Sequence, residues 1–379
     1  YPRDPEVLTL FAEALMDVAP WRLWSPDFEA APITNEVVAT LERALQLAPH
    51  HIGANRLYIH AVEASADPGK AGPSAERLIG MAPNAGHLVH MPSHIFERVG
   101  RYAEAAQANR KAVKVDSSYF AQPTAGMLYT PYLAHNRQFV AYVSMIEGRY
   151  GEALSAGRAA AATIPLELNL MMPGMDFFRT TPYAVEIKFG RWDDILAEGP
   201  PPATLIYASA FWHFARGMAY TGKRQMTEAA LERDSLIFLR DAMAAEATEG
   251  FNSARTLLEL ARHTLAGAMA RAGGDLAGAI EHYREGVTIE SGLQYDEPPD
   301  WLLFPRHDLG AALLQAGRAA EAEQVFRADL RRHSGTGWAL LGLEQSLLAQ
   351  KKNGEGAKVA ARCERAWKYA GTRVAVAAY

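Results

Sequence analysis

The sequence predicts an all-α protein built from helical hairpins stacked side by side. Three observations carry this. A glycine turn recurs between helical patterns, at Gly100-Arg-Tyr102, Gly148-Arg-Tyr150, Gly190-Arg-Trp192, Gly222-Lys-Arg224, Gly274-Asp-Leu276 and Gly317-Arg-Ala319. Alanine follows five residues after four of these glycines, at Ala105, Ala153, Ala279 and Ala322, where a small side chain lets two antiparallel helices approach. Strand signals are weak, because β-branched runs are few and alternate poorly. Self-similarity of this kind is the mark of an array in which each unit buries its apolar face against its neighbours.

Taken in order, residues 1–35 form an N-terminal helix over 5–18 and then an aromatic loop with Pro20, Trp21, Trp24 and Pro26, where nothing suggests chemistry. Residues 36–370 form the array, and 371–379 a C-terminal tail. The turn glycines are unevenly spaced, so insertions interrupt the repeat at 117–134, 163–181 and 288–304. Each insertion carries proline with aromatics or methionine, more than a solvated linker needs. They either fold over a concave binding surface or pack as irregular caps between repeats.

Composition narrows the function classes. Of 379 residues, 49% are apolar and 21% charged, the balance of a folded soluble chain. A net charge of −5 without a basic run leaves no footprint for nucleic acid. No apolar run approaches the roughly 18–20 residues that cross a bilayer. Cys363 is the only cysteine, so a metal site must draw on imidazole, carboxylate or backbone ligands. The chain opens on Tyr1-Pro2-Arg3-Asp4, without an initiator methionine or a signal-like segment, and so reads as a processed or trimmed form.

The Gly-Arg-Tyr turns, the small residue after them and Trp338-Ala-Leu-Leu341-Gly342 resemble the tetratricopeptide-repeat family from about residue 36 to about 370. The blocks His60-Ala-Val-Glu-Ala-Ser65, Gly86-His-Leu-Val-His-Met-Pro-Ser-His-Ile95 and Tyr295-Asp-Glu-Pro-Pro-Asp-Trp301 resemble a group of bacterial tetratricopeptide proteins of unassigned function. The resemblance implies a right-handed superhelix of hairpins whose first helices line a concave groove at positions 2, 5, 9, 12 and 13. It also implies repeats ahead of Tyr1 and a bacterial setting, cytoplasmic or periplasmic. It supplies no activity.

His87, His90 and His94 are spaced by three and four residues, which places them on one helical face. Counted back from the turn glycines in the family's register, they fall at groove positions 2, 5 and 9. His135 falls at position 2 of the next unit, His307 at position 5 of a later one, and Arg56 and His60 at positions 5 and 9 of the preceding one. Imidazole is the commonest biological metal ligand, and a histidine pair at i, i+4 can share one ion. His60, His87, His90, His94, His135 and His307 are therefore the candidate metal ligands. His60, His90, His94 and His135 are expected near one ion, with His87 a further ligand or a hydrogen-bonding partner. Imidazoles without thiolate suit Zn, Cu, Fe or Ni.

Around them, Arg56, Asn136, Tyr129 and Trp301 are candidate substrate contacts. Tyr132, Asp296 and Glu297 are candidate acid–base residues, the last two on a loop entering the groove. That loop reads equally as a helix entry with Asp300 as N-terminal cap. Two functions from different classes follow. One is a metal-dependent enzyme, an oxidase or hydrolase acting on a small substrate in a histidine-lined groove. The other is an interaction scaffold that binds a peptide or anionic ligand there. The sequence leaves oligomeric state open.

Overall fold

The computed structural model describes residues 3–122, 126–371 and 377–378, so part of the 117–134 insertion and most of the 371–379 tail lie outside the described residues. The chain divides into two compact units, one of Tyr1–Val140 with Gln294–Glu297, the other of Ala141–Leu293 with Pro298–Tyr379.

In the first unit, α1 (Pro5–Met16) starts where the Asp4 carboxylate accepts hydrogen bonds from the amides of Glu6 and Val7. It packs on α2 (Thr34–Leu47) and α3 (Ile52–Val62). α2 buries Val37, Leu41 and Ala44, a stripe at helical spacing. α4 (Gly72–Leu78), α5 (Gly86–His90) and α6 (Pro92–Arg98) lead to α7 (Tyr102–Phe120). α7 turns Ala105, Ala106, Asn109 and Ala112 inward and is contacted by α5 and α6. The start of α8 (Thr130–Ile146) completes the unit.

The second unit holds the end of α8, then α9 (Tyr150–Thr163), α10 (Leu166–Met171), α11 (Phe177–Lys188) and α12 (Trp192–Ala197). Four hairpins follow. They pair α13 (Ile206–Gly222) with α14 (Met226–Ala242), α15 (Ala254–Ala272) with α16 (Leu276–Ser291), α17 (Pro305–Gln315) with α18 (Ala319–Arg332), and α19 (Gly337–Ala349) with α20 (Asn353–Ala366). First helices also stack on first helices, α11 on α13, α13 on α15 and α17 on α19. This is the tetratricopeptide-like helical-hairpin class that the sequence predicts. Small residues make the stacking possible: a Cβ on Gly310 or Gly342 would lie 2.3 or 2.2 Å from the fully buried Phe326 ring. The only strands among the described residues are Thr248–Glu249 and Asn252–Ser253.

The hairpin turns share one backbone device. At Gly100, Gly148, Gly190, Gly274 and Gly317 φ is positive, between 63° and 89°, and the next amide reaches back to close the helix, as Arg101 does to Phe96 O at 2.7 Å. The expectation at Gly222 is corrected. Gly222 remains inside α13, and the left-handed residue is Arg224 at φ 59°. Lys351 plays the same part at φ 61° before α20. Each lies 34 residues after the turn glycine before it (Gly190, Gly317), the length of one tetratricopeptide unit.

The 288–304 insertion begins as the last turn of α16 and ends in buried Trp301, Leu302, Leu303 and Phe304. Asp300 is not a helix cap. Its Oδ2 accepts from the Phe251 amide and Asn252 Nδ2, and α17 begins only at Pro305.

Candidate metal centre

Three elements of the first unit carry the histidines. α3 is capped by His51, whose Nδ1 accepts from the Ala54 amide at 3.1 Å. Arg56 lies midway along α3 and His60 in its last turn, and Glu63 follows directly. The run from Gly86 to Arg98 is two helices rather than one, because Pro92 has no N–H to continue the ladder. Met91 between them keeps helical angles, and His94 N bonds Met91 O at 3.3 Å. The break is mild, so His90 and His94 still share a face. Their ring centroids lie 4.5 Å apart. α8 brings His135 to 4.7 Å from His90.

The three rings converge through Nε2. His90 Nε2 and His94 Nε2 are 2.6 Å apart, and His135 Nε2 is 3.2 Å from His90 Nε2. Phe139 packs beside all three rings at 5.4–6.1 Å.

The neighbours fix the tautomers. Asn109 Nδ2 donates to Ala105 O at 2.9 Å, which turns its Oδ1 toward His90 Nδ1 at 2.8 Å. That oxygen only accepts, so His90 Nδ1 carries the proton and Nε2 a lone pair. His94 Nδ1 lies 2.5 Å from Glu63 Oε2 and 3.2 Å from Glu297 Oε1, so it too is the protonated nitrogen. Two imidazole nitrogens therefore face each other across 2.6 Å in a fully buried position, and His90 brings a lone pair to that contact.

Glu63 also binds His60, with Nδ1 to Oε1 at 2.9 Å. Two groups among the described residues are positioned to hold a metal ion: His90, His94 and His135, and His60, Glu63, His94 and Glu297. His94 belongs to both. Burial favours the uncharged form of two of these imidazoles, pushing His135 down to about 3 and His90 well below its usual value. His60 is lowered by burial too, with Glu63 opposing. Burial pushes the Glu63 carboxyl up, but His94 and His60 outweigh it and hold it down at about 2.

A cavity of about 170 Å³ opens beside the second group. Its walls include Trp21, Trp24, Arg56, His60, Glu63 and Tyr295. Trp21, held at φ 58°, meets His60 edge-on at 5.2 Å. The Tyr295 hydroxyl is buried without a hydrogen-bond partner.

The other expected site residues divide. His87 lies 5.9 Å from His90, ring to ring, and its Nε2 accepts from Arg56 Nε at 3.3 Å. Tyr132 meets His87 edge-on at 5.4 Å and is 45% exposed. Tyr129 and Asn136 both donate to Asp116, at 3.1 and 2.7 Å. Glu297 reaches His94, whereas the Asp296 carboxylate accepts from the Glu297 amide at 2.9 Å.

Two expectations are corrected. Trp301 belongs to the core of the second unit, where it is 3% exposed and packs on Phe211 and Phe214 at 5.8 and 5.6 Å. His307 is in neither metal-competent group. It is buried in the second unit with both nitrogens committed, Nδ1 to Lys188 Nζ and Nε2 to Asp329 Oδ2, each at 2.9 Å.

Sequence reasoning passed over Glu63, Asn109 and Trp21. Glu63 had a usable signal, since it stands three residues after His60 on the same face. The other two come from elements distant in sequence and carried none.

No protein-family model matches the chain, and no curated protein does. Solved structures do align with it. The human IFIT1 dimer with m7Gppp-AAAA matches over 97% of this chain and 73% of its own, at 13% identity and TM-score 0.40. The yeast Tom70 crystal structure matches over 94% and 92%, at 11% identity and TM-score 0.28. Cut9–Hcn1 of the APC/C matches over 89% and 91%, at 10% identity and TM-score 0.27. Likeness at this level carries no argument about ligand or activity.

Proposed function

We propose that the protein binds a transition-metal ion through Nε2 of His90, His94 and His135, and that the ion serves chemistry on a small molecule held in the adjoining cavity. The observation that carries this reading is the 2.6 Å approach of His90 Nε2 and His94 Nε2, with an acceptor facing Nδ1 of each ring. With both rings neutral, two lone pairs at that distance repel, and a cation between them turns the repulsion into two bonds. Tetrahedral Zn–N bonds of about 2.0–2.1 Å place ligand nitrogens about 3.3 Å apart, so a slight opening of the rings admits an ion. The 3.2 Å between His135 and His90 already fits.

The surroundings support the same reading. Glu63 and Asn109 orient His94 and His90 by accepting from their outer nitrogens, as partners of metal-bound imidazoles commonly do. Neutral imidazole is the ligating form, and burial favours it for His90 and His135. Three protein ligands leave a coordination position open, where the ion would supply Lewis acidity to a substrate atom. Three nitrogens suit Zn, Cu, Fe or Ni. The small cavity, with Arg56 in its wall to meet a polar group, favours a small substrate over an extended peptide.

Elemental analysis of the purified protein tests the reading, with EDTA-stripped protein reloaded with Zn²⁺. Metal is expected to stay with the wild-type chain through gel filtration and to be lost from His90→Ala. Wild-type protein that retains no metal, or a His90→Ala variant that retains all of it, contradicts the proposal.

A further inference from the structure

The second ligand group goes beyond a single ion. We propose that the first unit holds a dinuclear centre in which His94 bridges two metal ions, Nε2 to the ion at His90 and His135 and Nδ1 to a second ion shared with His60, Glu63 and Glu297. The inference rests on the metal reading above.

His60, Glu63, His94 and Glu297 each offer a ligand atom, all within 4.8 Å of one another. Glu63 is 1% and Glu297 6% exposed. The single Nδ1 proton of His94 lies between two carboxylate oxygens, at 2.5 and 3.2 Å, and one proton cannot serve both well. A divalent ion in its place meets both oxygens and both imidazoles, and its charge balances the two carboxylates. The exchange is balanced: the second ion binds Nδ1 as the Nδ1 proton leaves to solvent, and His94 becomes an imidazolate bridge. Bonds of about 2 Å on either side of the ring put the ions about 6 Å apart.

The two positions differ in chemistry and in access. The first has nitrogen ligands only. The second adds two carboxylates and suits harder ions. His60 and Glu63 line the cavity, as does the unpartnered hydroxyl of Tyr295, in the electrostatic reach of Glu63 and Glu297. His90 and His135 are not among the cavity's lining residues. The second ion would therefore face the cavity more directly than the first.

Titrating the EDTA-stripped protein with Zn²⁺ tests this by stoichiometry. Two ions per wild-type chain are expected, with about one proton released as the second binds. His60→Ala and Glu297→Gln each retain one, with helicity checked by circular dichroism. Saturation at one ion overturns the second site and leaves the proposed function standing, whereas no binding overturns both. Two ions retained in both variants would also overturn it. Loaded with Cu²⁺, the bridged pair gives an EPR intensity well below that of two isolated ions, and full intensity for two ions would overturn the bridge.

Discussion

Each unit buries a group of histidines, and the two groups are built on opposite terms. In the second unit His307 receives a hydrogen bond from Lys188 and gives one to Asp329, whose other oxygen accepts from His333 Nδ1 at 3.0 Å. Lys188 also sits over the Trp338 ring at 4.1 Å. Every polar atom of that imidazole meets a partner of the opposite kind, so the network is closed. In the first unit the outer nitrogens of His90 and His94 are satisfied in the same way, but the inner nitrogens meet only other imidazole nitrogens, each other's and that of His135. His307 is as fully buried as His90 and His94. What separates a structural histidine from a ligand is whether its second nitrogen has a donor waiting for it.

Mutations can break this contrast, beginning with its strongest arm. His94→Ala removes the ligand common to both groups and is expected to abolish metal retention, read by elemental analysis. His307→Ala is expected to leave metal content unchanged. Next in size, Asp329→Ala strips the carboxylate from between two histidines and leaves Lys188 buried without it. Removing one partner from such a network costs about 3–5 kcal/mol. Urea unfolding is expected to show that loss with metal binding intact, and an unchanged unfolding midpoint would deny the network its structural role.

Acid sharpens the comparison less drastically. His90 and His135 have folded values below the unfolded value of about 6.5. The unfolded chain therefore takes up protons first. Their stabilisation is complete above about pH 6.5 and is lost as pH falls from there, toward about 3 for His135. His307, pushed down to about 4 by burial and then Lys188, behaves with the same sign. Metal-free protein should lose stability on going from pH 7 to 5 in denaturant titrations. Bound metal must be shed before the first group can protonate, so metal release should track the same range. A flat profile would contradict neutral burial. The smallest effect is expected from Asn109→Ala, which removes the acceptor that fixes the His90 tautomer. Metal affinity should fall about 10–100-fold with the fold retained, a typical loss for such an outer partner. Calorimetric titration with Zn²⁺ checks it.

The helical-hairpin class was legible because its determinants are local. A turn glycine and the small residue after it announce themselves within a few positions. Where an ordinary residue takes the left-handed angle, as Arg224 and Lys351 do, the turn has no compositional mark, and Gly222 misdirected the reading by two residues. That His90 and His94 share a face was legible for the same local reason, whereas His87, on the same spacing, falls in neither ligand group. The division of the ligands into two groups was not legible. It depends on Glu63, Asn109 and Glu297, and the last reaches His94 from about 200 positions away. His307 shows the converse: a groove register cannot reveal Lys188, 119 residues earlier, which occupies its free nitrogen. The aromatic loop, which read as inert, lines the cavity through Trp21 and Trp24.

An anomalous-difference map from crystals of Zn²⁺-loaded protein, recorded at the zinc edge, bears most directly on the metal centre. It should show a peak about 2.0–2.1 Å from Nε2 of His90, His94 and His135. A featureless map there, with the His90 and His94 rings still in contact, would mean that a shared proton rather than a metal joins them.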